Sequence, residues 1–322
     1  MNKHSNHRNW IPLLILLGFT LIWAGTRDPF PYYRMHVGAR ALGMGGAHTA
    51  AVNGVEATYF NPAMLAFQEG FELNSMISSG MAFDRSLNFI GFGAEVWEDS
   101  KRGIAVSLLN AQMDKMPGYD ESNVPTDDFN TVYNNVMLGY AEPFFIDHTY
   151  WGATVKLYHS SIDGDDESGY GFDVGGIYRT KTSPWCDKIR DIRLGVAVQD
   201  LFSDVDEDRI TPRLKLGTAG TFINDLHTAL DLGMDIGDDA EFTWAIGAEY
   251  DIYILDEEEP VRSLSDIQLY TIKPRLGLKE GNIHLGFGMD LGLIQIDYAF
   301  VPAPNTEYDD SHRFSFILSF DR

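Results

Sequence analysis

From Phe71 to the C-terminus, apolar and polar residues alternate with a period of two. In 241–252, Phe242, Trp244, Ile246, Ala248, Tyr250 and Ile252 share one face, while Glu241, Thr243, Ala245, Gly247, Glu249 and Asp251 share the other. Leu214, Leu216, Thr218 and Phe222 alternate with Arg213, Lys215, Gly217 and Thr221; Leu230, Leu232, Met234 and Ile236 alternate with Asp231, Gly233 and Asp235. The chain closes on Phe314, Phe316, Leu318 and Phe320, with Ser315 and Ser319 between them. Such alternation puts the two sets on opposite faces of a strand. About fourteen segments follow it, starting near Phe71, Leu87, Gly103, Thr131, Tyr150, Gly169, Ile189, Arg213, Leu226, Glu241, Tyr270, Asn282, Ile294 and Arg313. Each is roughly 10 residues long, the length a tilted strand needs to cross a bilayer.

Two features separate this from a half-buried sheet in water. Aromatic residues sit at strand ends (Trp151, Tyr178, Trp244, Tyr250, Phe300), as in the interfacial girdles of membrane barrels. The opposite face mixes charge with glycine, which a lumen accepts. The pattern predicts an all-β protein, a transmembrane antiparallel barrel of about fourteen strands; an even count is what single-chain bacterial barrels show. Trp244, Ile246, Leu216 and Val196 are expected to face lipid, so that Ile246→Arg should harm insertion while Gly247→Ser, one residue on, should be mild. Two segments are irregular. Leu87–Trp97 changes phase in its middle, which suggests a bulge. Pro274 lacks a ladder donor, so its strand should start late or be bulged.

With both termini periplasmic, external loops are expected near Asp84, Asp114–Asn130, Ile162–Ser168, Ser203–Thr211, Gly237–Ala240, Glu280–Asn282 and Ala303–His312. Short turns are expected on the periplasmic side. The acidic segment 256–266 is an exception, being long and periplasmic by this count.

The N-terminal part reads differently. Residues 1–25 have the form of a signal peptide: Lys3 and Arg8, then the apolar run Trp10–Trp23, then small Ala24 and Gly25. The apolar run is too short to span a membrane. Residues 26–68 show glycine and small residues without sustained alternation, and are expected to form short helices and turns packed against something larger. Residues 69–322 form the barrel. Pro62 fixes its own φ and biases Asn61 toward extended geometry.

Composition adds exclusions. Among 322 residues the net charge is -23, which argues against nucleic acid, because a phosphate-tracking surface needs Lys and Arg. Cys186 is the only cysteine, so no intrachain disulfide forms. The histidines show no metal spacing and no site for a cofactor is evident; His227 and His284 are expected in the lumen. A catalytic role would need a nucleophile and a base in hydrogen-bond reach, and no such grouping is visible. Asp163-Gly164-Asp165-Asp166-Glu167 resembles a calcium loop but fails its spacing, so a solvated loop tip is the plainer reading. The lumen-side charges, Lys156, Asp173, Arg179, Arg193, Arg213, Lys215, Asp231, Asp235, Glu249, Asp251, Lys273, Arg275 and Asp297, either brace a plug to the wall or line a selective channel.

Gly38-Ala39-Arg40, Gly43-Met44-Gly45-Gly46-Ala47 and Asn61-Pro62-Ala63-Met64-Leu65-Ala66 together resemble the N-terminal signature of the PorV/PorQ family, which is related to FadL-type long-chain fatty-acid transporters. Ile296-Asp297-Tyr298-Ala299-Phe300-Val301-Pro302, followed by His312-Arg313-Phe314-Ser315, is similar to that family's closing strands. The resemblance implies a monomeric fourteen-stranded outer-membrane barrel with a hatch in the lumen, Gly43, Gly45, Gly46, Asn61, Pro62 and Ala63 within it. It also implies insertion by the barrel-assembly machinery into an envelope with lipopolysaccharide. On the PorV side it implies partnership with secretion components and exported cargo. On the FadL side it implies a transporter of a hydrophobic small molecule. An outer-membrane enzyme is a remote third reading.

Overall fold

The computed structural model describes residues 31–79, 85–97, 100–120, 122–182, 188–206, 208–223, 225–237, 240–255, 268–302 and 310–320. The expected signal peptide, Cys186 and the acidic segment 256–266 lie outside them. Fourteen long strands form one closed antiparallel sheet: β1 (Phe71–Ser79), β2 (Arg85–Glu95), β3 (Gly103–Met116), β4 (Phe129–Pro143), β5 (Thr149–Ile162), β6 (Asp165–Thr182), β7 (Ile189–Val205), β9 (Arg213–Phe222), β10 (Leu226–Asp235), β11 (Phe242–Tyr250), β13 (Thr271–Lys279), β14 (Asn282–Asp290), β15 (Ile294–Val301) and β16 (Ser311–Phe320). Two-residue strands supplement them: β8 (Asp208–Arg209) folds back on β7, and β12 (Ile252–Tyr253) prolongs β11 along β13. β1 pairs with β16 from Phe71↔Phe320 to Ser79↔His312, which closes the barrel. Closure leaves no sheet edge to be satisfied in hydrocarbon.

The alternation fixes the faces. Leu73, Ile90, Phe92, Val106, Leu138, Val155, Val174, Val196, Leu216, Leu232, Ile246 and Leu276 are exposed on the outside. Their in-register neighbours, including Asn74, Ser107, Asp173, Ala197, Asp231, Ala245 and Arg275, are buried inside. Phe71, Trp151, Tyr178, Phe222, Tyr250 and Phe320 form an exposed aromatic set at the strand ends on the side of β1's start and β16's end.

Both irregular segments resolve differently from expectation. β2 pairs with β3 without a break from Arg85↔Met113 to Glu95↔Gly103, so there is no bulge there. The apparent phase change arises because both faces are apolar. Leu87 and Phe89 are buried in the lumen, and Ile90 and Phe92 face out. β13 runs through Pro274 in regular register with β14. On its other side β11 pairs only as far as Glu249↔Arg275 and β12 resumes at Ile252↔Ile272. The proline therefore falls in the gap, where no donor is required. Real bulges occur in β3 (113–116), in β7 against β9 (190–193) and twice between β6 and β7.

The acidic segment read as a possible calcium loop is a tight hairpin. Asp163 (φ 53°) and Gly164 (φ 88°) make the turn, as positive φ at both central positions of a type I′ turn requires. Asp165, Asp166 and Glu167 already belong to β6, so their side chains alternate and do not converge. The 203–211 connection is no free external loop either. Ile210 and Thr211 are buried, because the chain turns inward after β8.

The registered faces generate a direct test. Ile246→Arg places charge in lipid at a cost of about 2–4 kcal/mol near the midplane. Assembly in cells should fall, read as loss of the compact, heat-modifiable band on denaturing gels. Normal assembly of this variant would mean the faces are exchanged.

Candidate functional site: the plugged lumen

Residues 31–67 lie inside the barrel. They form a 3-10 turn at Pro31–Arg34, a short helix α1 (Ala39–Gly43), a 3-10 turn at Gly54–Glu56, a helical turn α2 (Ala57–Phe60) and a 3-10 segment at Pro62–Phe67. None is long enough to be stable alone in water. Their burial comes from the wall.

Asn61 adopts φ −158° and ψ 104°, the extended geometry its following proline imposes. Its side chain then does three things. The carboxamide oxygen accepts from Ala63 N at 3.2 Å, and the amide donates to Thr49 O at 3.0 Å and to Gly176 O, a wall carbonyl, at 3.3 Å. Pro62 begins the next helical segment, where its missing N–H is not needed. Ala63 is fully buried against the wall.

The glycines act by allowing close approach. Gly45 and Gly46 take φ of 69° and 85°. A Cβ on Gly43 would stand 2.8 Å from Gly286 Cα, and one on Gly45 2.8 Å from Leu278 N. The wall answers with glycines of its own. A Cβ at Gly152 would meet Pro62 C at 2.5 Å, one at Gly217 would meet Thr49 Cβ at 2.8 Å, and one at Gly247 would meet Met44 O at 2.5 Å. Gly247 is therefore a seat for Met44, and the mild effect expected of Gly247→Ser does not hold.

The lumen has two unlike halves. On the β1–β7 side it is mainly apolar, apart from the buried Lys156, Asp173 and Asp200: Met76, Leu87, Phe89, Leu109, Tyr133, Met137, Tyr158 and Ile177 pack with Tyr33, Val37, Val55, Phe60, Met64 and Leu65 of the hatch. Tyr33 lies edge-on to Tyr133 at 5.9 Å between centroids. Across β9–β16 the lumen is charged. Arg40 binds Glu249 at 2.8 Å, Arg275 binds the same carboxylate, and Arg275 also meets Asp297 at 2.7 Å with both side chains fully buried. Asp231 accepts from His48 N at 2.9 Å, Thr49 N at 2.8 Å and Thr49 Oγ1 at 2.6 Å.

The remaining expected charges fall into pairs and bridges. Lys156 holds Asp173 at 2.8 Å and Asp200 at 2.7 Å. Arg213 pairs with Asp235, and Arg34 reaches both Asp235 at 3.3 Å and Asp200 at 3.5 Å. Arg179 and Arg193 share Asp191, and Arg193 donates to Asn53 of the hatch at 3.3 Å. Lys273 pairs with Asp290 at 3.3 Å. Lys215 lies over the Phe60 ring at 5.6 Å. Both histidines point inward. His284 Nδ1 donates to Leu42 O at 3.1 Å. His227 bridges Thr221 Oγ1 at 3.0 Å and Asp251 at 3.1 Å. Among the described residues, His227, Glu249 and Asp251 bring possible metal donors together. Arg40 and Arg275 already occupy the Glu249 carboxylate, which leaves little for an ion.

Arg34, Arg40 and Asp200, which join hatch to wall, were not anticipated. Arg34 lies in a 3-10 turn, Arg40 in the short helix α1 and Asp200 beside a bulge, where no strand period assigns a side. The one available signal was Arg40 within the Gly38-Ala39-Arg40 motif.

The fold is shared with solved structures of two toluene transporters and a FadL homologue. The toluene transporter TbuX of Ralstonia pickettii superposes with a TM-score of 0.59 at 14% identity, covering 94% of this chain and 100% of that one. The toluene transporter TodX of Pseudomonas putida gives 0.54 at 14%, covering 88% and 97%. A FadL homologue of Pseudomonas aeruginosa gives 0.53 at 10%, covering 88% and 98%. No family model matches the sequence, and no curated protein matches it. The structural likeness is one of fold, and the PorV/PorQ side of the resemblance draws no support from it.

Two outcomes follow from the seating. Gly247→Val should push Met44 off the wall while β10–β11 pairing survives. Barrels should remain heat-modifiable yet show raised single-channel conductance in planar bilayers; unchanged conductance would mean the hatch repacks. Glu56, in the hatch, has its carboxyl pushed up to about 7, chiefly by burial. Asn74, which donates to it at 3.2 Å, and Arg40 act the other way. A pKa raised in the seated state means the seated hatch binds the extra proton, so seating weakens as pH rises from the ordinary carboxylate range through about 7. Protection of hatch amides, taken relative to the intrinsic rise of exchange with pH, should fall over that window, and Glu56→Gln should flatten that fall.

Proposed function

We propose that this barrel passes a hydrophobic small molecule through the outer membrane in the manner of FadL-type transporters. The observation that carries this reading is the apolar half of the lumen. A water-filled porin lines its lumen with polar groups. Here Leu87, Phe89, Leu109, Tyr133, Met137 and Tyr158 point inward across four neighbouring strands. Wetting those side chains would cost roughly 25 cal/mol for each Å² exposed, so the surface suits an apolar solute better than water. The hatch covers it, so passage requires the hatch to move. The fold shared with two toluene transporters agrees with this, although at 14% identity it speaks for architecture and not for solute.

The test locks the hatch. Thr58 Oγ1 and Ser107 Oγ are 2.7 Å apart, one on the hatch and one on β3. Cysteines there stand close enough to form a disulfide, whose sulfurs are about 2.05 Å apart. In a Cys186→Ser background, Thr58→Cys/Ser107→Cys should cut uptake of toluene and of a long-chain fatty acid into proteoliposomes several-fold when oxidised. Reductant should restore it. Uptake indifferent to the lock would remove the moving-hatch transporter. Cargo stranded in the periplasm of a deletion strain, with solute uptake normal, would instead favour a secretion partner.

A further inference from the structure

β1 turns Glu72 and Asn74 to the lumen, two residues apart on its inward face. The hatch turn Gly54–Glu56 packs against them there and brings Glu56. Glu56, Glu72 and Asn74 are 4%, 8% and 1% exposed. Asn74 Nδ2 donates to Glu56 Oε1 at 3.2 Å, and Val55 N donates to Glu72 Oε1 at 3.0 Å. Glycines make the seats: Gly38 and Gly54 take φ of 79° and 64°. A Cβ on Gly38 would fall on the Glu56 carboxylate, and one on Gly54 on that of Glu72. Two carboxylates and a carboxamide thus meet where the plug joins the wall.

All three line one polar cavity of about 210 Å³ between the hatch and the wall. The cations of that cavity are taken by other acids. Arg40 holds Glu249 at 2.8 Å, Lys273 holds Asp290 at 3.3 Å, and Arg193 holds Asp191. Among the described residues Glu56 meets His48 Nε2 at 3.9 Å, the outer limit of an ion pair. Asn74 Oδ1 is the sharper sign. It is buried and has no hydrogen-bond partner among the described residues. A buried acceptor without a donor is costly, and in native structures it marks bound water or an ion. A water would satisfy the amide oxygen but leave the two carboxylates beside it uncompensated; a cation answers all three.

We propose that Glu56, Glu72 and Asn74 Oδ1 bind one hard divalent cation of calcium type, which clasps the hatch to β1. Carboxylate and amide oxygens, without nitrogen or sulfur, suit such an ion. The cavity leaves room for waters to complete its shell. The site is separate from the grouping of His227, Glu249 and Asp251, where two guanidiniums hold Glu249. Its ligands come from hatch and wall together, so the ion binds the seated hatch and not the loosened one. Binding therefore stabilises seating. No solute enters this inference, and it stands apart from the transporter reading.

The mature barrel, refolded in detergent without lipopolysaccharide and stripped with a chelator, is titrated with calcium chloride by calorimetry. Hydrogen exchange of the hatch is followed alongside at fixed pH. The expected result is one calcium ion per barrel, with protection of the Val55 and Glu56 amides rising several-fold as it binds. Glu72→Gln keeps the shape of the side chain and should weaken binding by about tenfold or more. Asn74→Ala should weaken it in the same direction, and carries the test if Glu72→Gln fails to assemble. His227→Ala and Asp166→Asn, the latter on the β5–β6 hairpin, should leave binding unchanged. No saturable uptake would overturn the proposal. So would uptake that survives both Glu72→Gln and Asn74→Ala, or that is lost with either control. Hatch protection that ignores calcium would also overturn it, and would mean that a proton on Glu56 alone meets the charge.

Discussion

The line Arg40–Glu249–Arg275–Asp297 ties the plug to the barrel at its thinnest seam. β11 and β13 share a ladder only from Ala245↔Lys279 to Glu249↔Arg275, and the next pairs come from the short β12. Among the described residues every other neighbouring pair of long strands shares a longer ladder, β14 and β15 included. At this seam the backbone contributes little, and the side chains of the last pair carry opposite charges. Glu249 takes a guanidinium from each side, Arg275 from the wall and Arg40 from the hatch. Removing one partner of a buried pair costs about 3–5 kcal/mol, because the other charge is left uncompensated. The hatch arginine is thus part of the wall's own electrostatics. A barrel without its hatch would retain Glu249, Arg275 and Asp297 but lose Arg40 and gain water around the rest.

The two halves of the lumen explain how the hatch is oriented. Its apolar side chains, Val37, Val55, Phe60, Met64 and Leu65, face β1–β7. Its polar groups, Arg40 and the His48–Thr49 amides, face Glu249 and Asp231. Rotation of the plug would set Phe60 against carboxylates and Arg40 against Leu87, both unfavourable. Glycines on both surfaces then let the backbones approach to contact distance at Gly152, Gly217 and Gly247. Polarity sets which way the hatch faces, and glycine sets how deep it sits.

Strand number and facing were legible because period-two alternation is a local signal that the bilayer enforces: every long strand contains or adjoins one of the fourteen expected starts. Leu87–Trp97 reads as phase-shifted because Leu87 and Phe89 face an apolar lumen, which removes the contrast between faces on which the signal depends. The lumen charges were legible as charges on the inner face, but not as partners. Pairing joins residues far apart in sequence, as Arg40 and Glu249 are. Arg34 and Asp200 escaped notice because an irregular segment and a bulge carry no period. The wall glycines were equally silent. In a strand, Gly247 reads as a small filler, and only the backbone of Met44 against it gives it a role.

Strand length follows the same division. β3 to β7 run from 14 to 18 residues, whereas β9 to β16 have at most 10. The tall wall stands on the apolar side of the lumen. An apolar half-lumen open to the exterior would wet Tyr33, Tyr133 and Tyr158, so it needs cover above as well as below. The extra height provides that cover. Two bulges, with Asp200 and Phe202 at φ of 58° and 51°, bend the upper part of β7. The chain returns through β8, and Ile210 and Thr211 are carried inward, where Thr211 O accepts from Arg34. Val205 and Ile210 then join the same buried cluster as Tyr33. The upper part of β7 with Ile210 and the hatch form one packed body, and on the transporter reading proposed above an apolar solute would have to loosen the contacts of Ile210 and Tyr33 before it could reach Phe60. The Arg34 bridge to Asp200 and Asp235 is the polar clasp on that body, and its rupture would come at the same step.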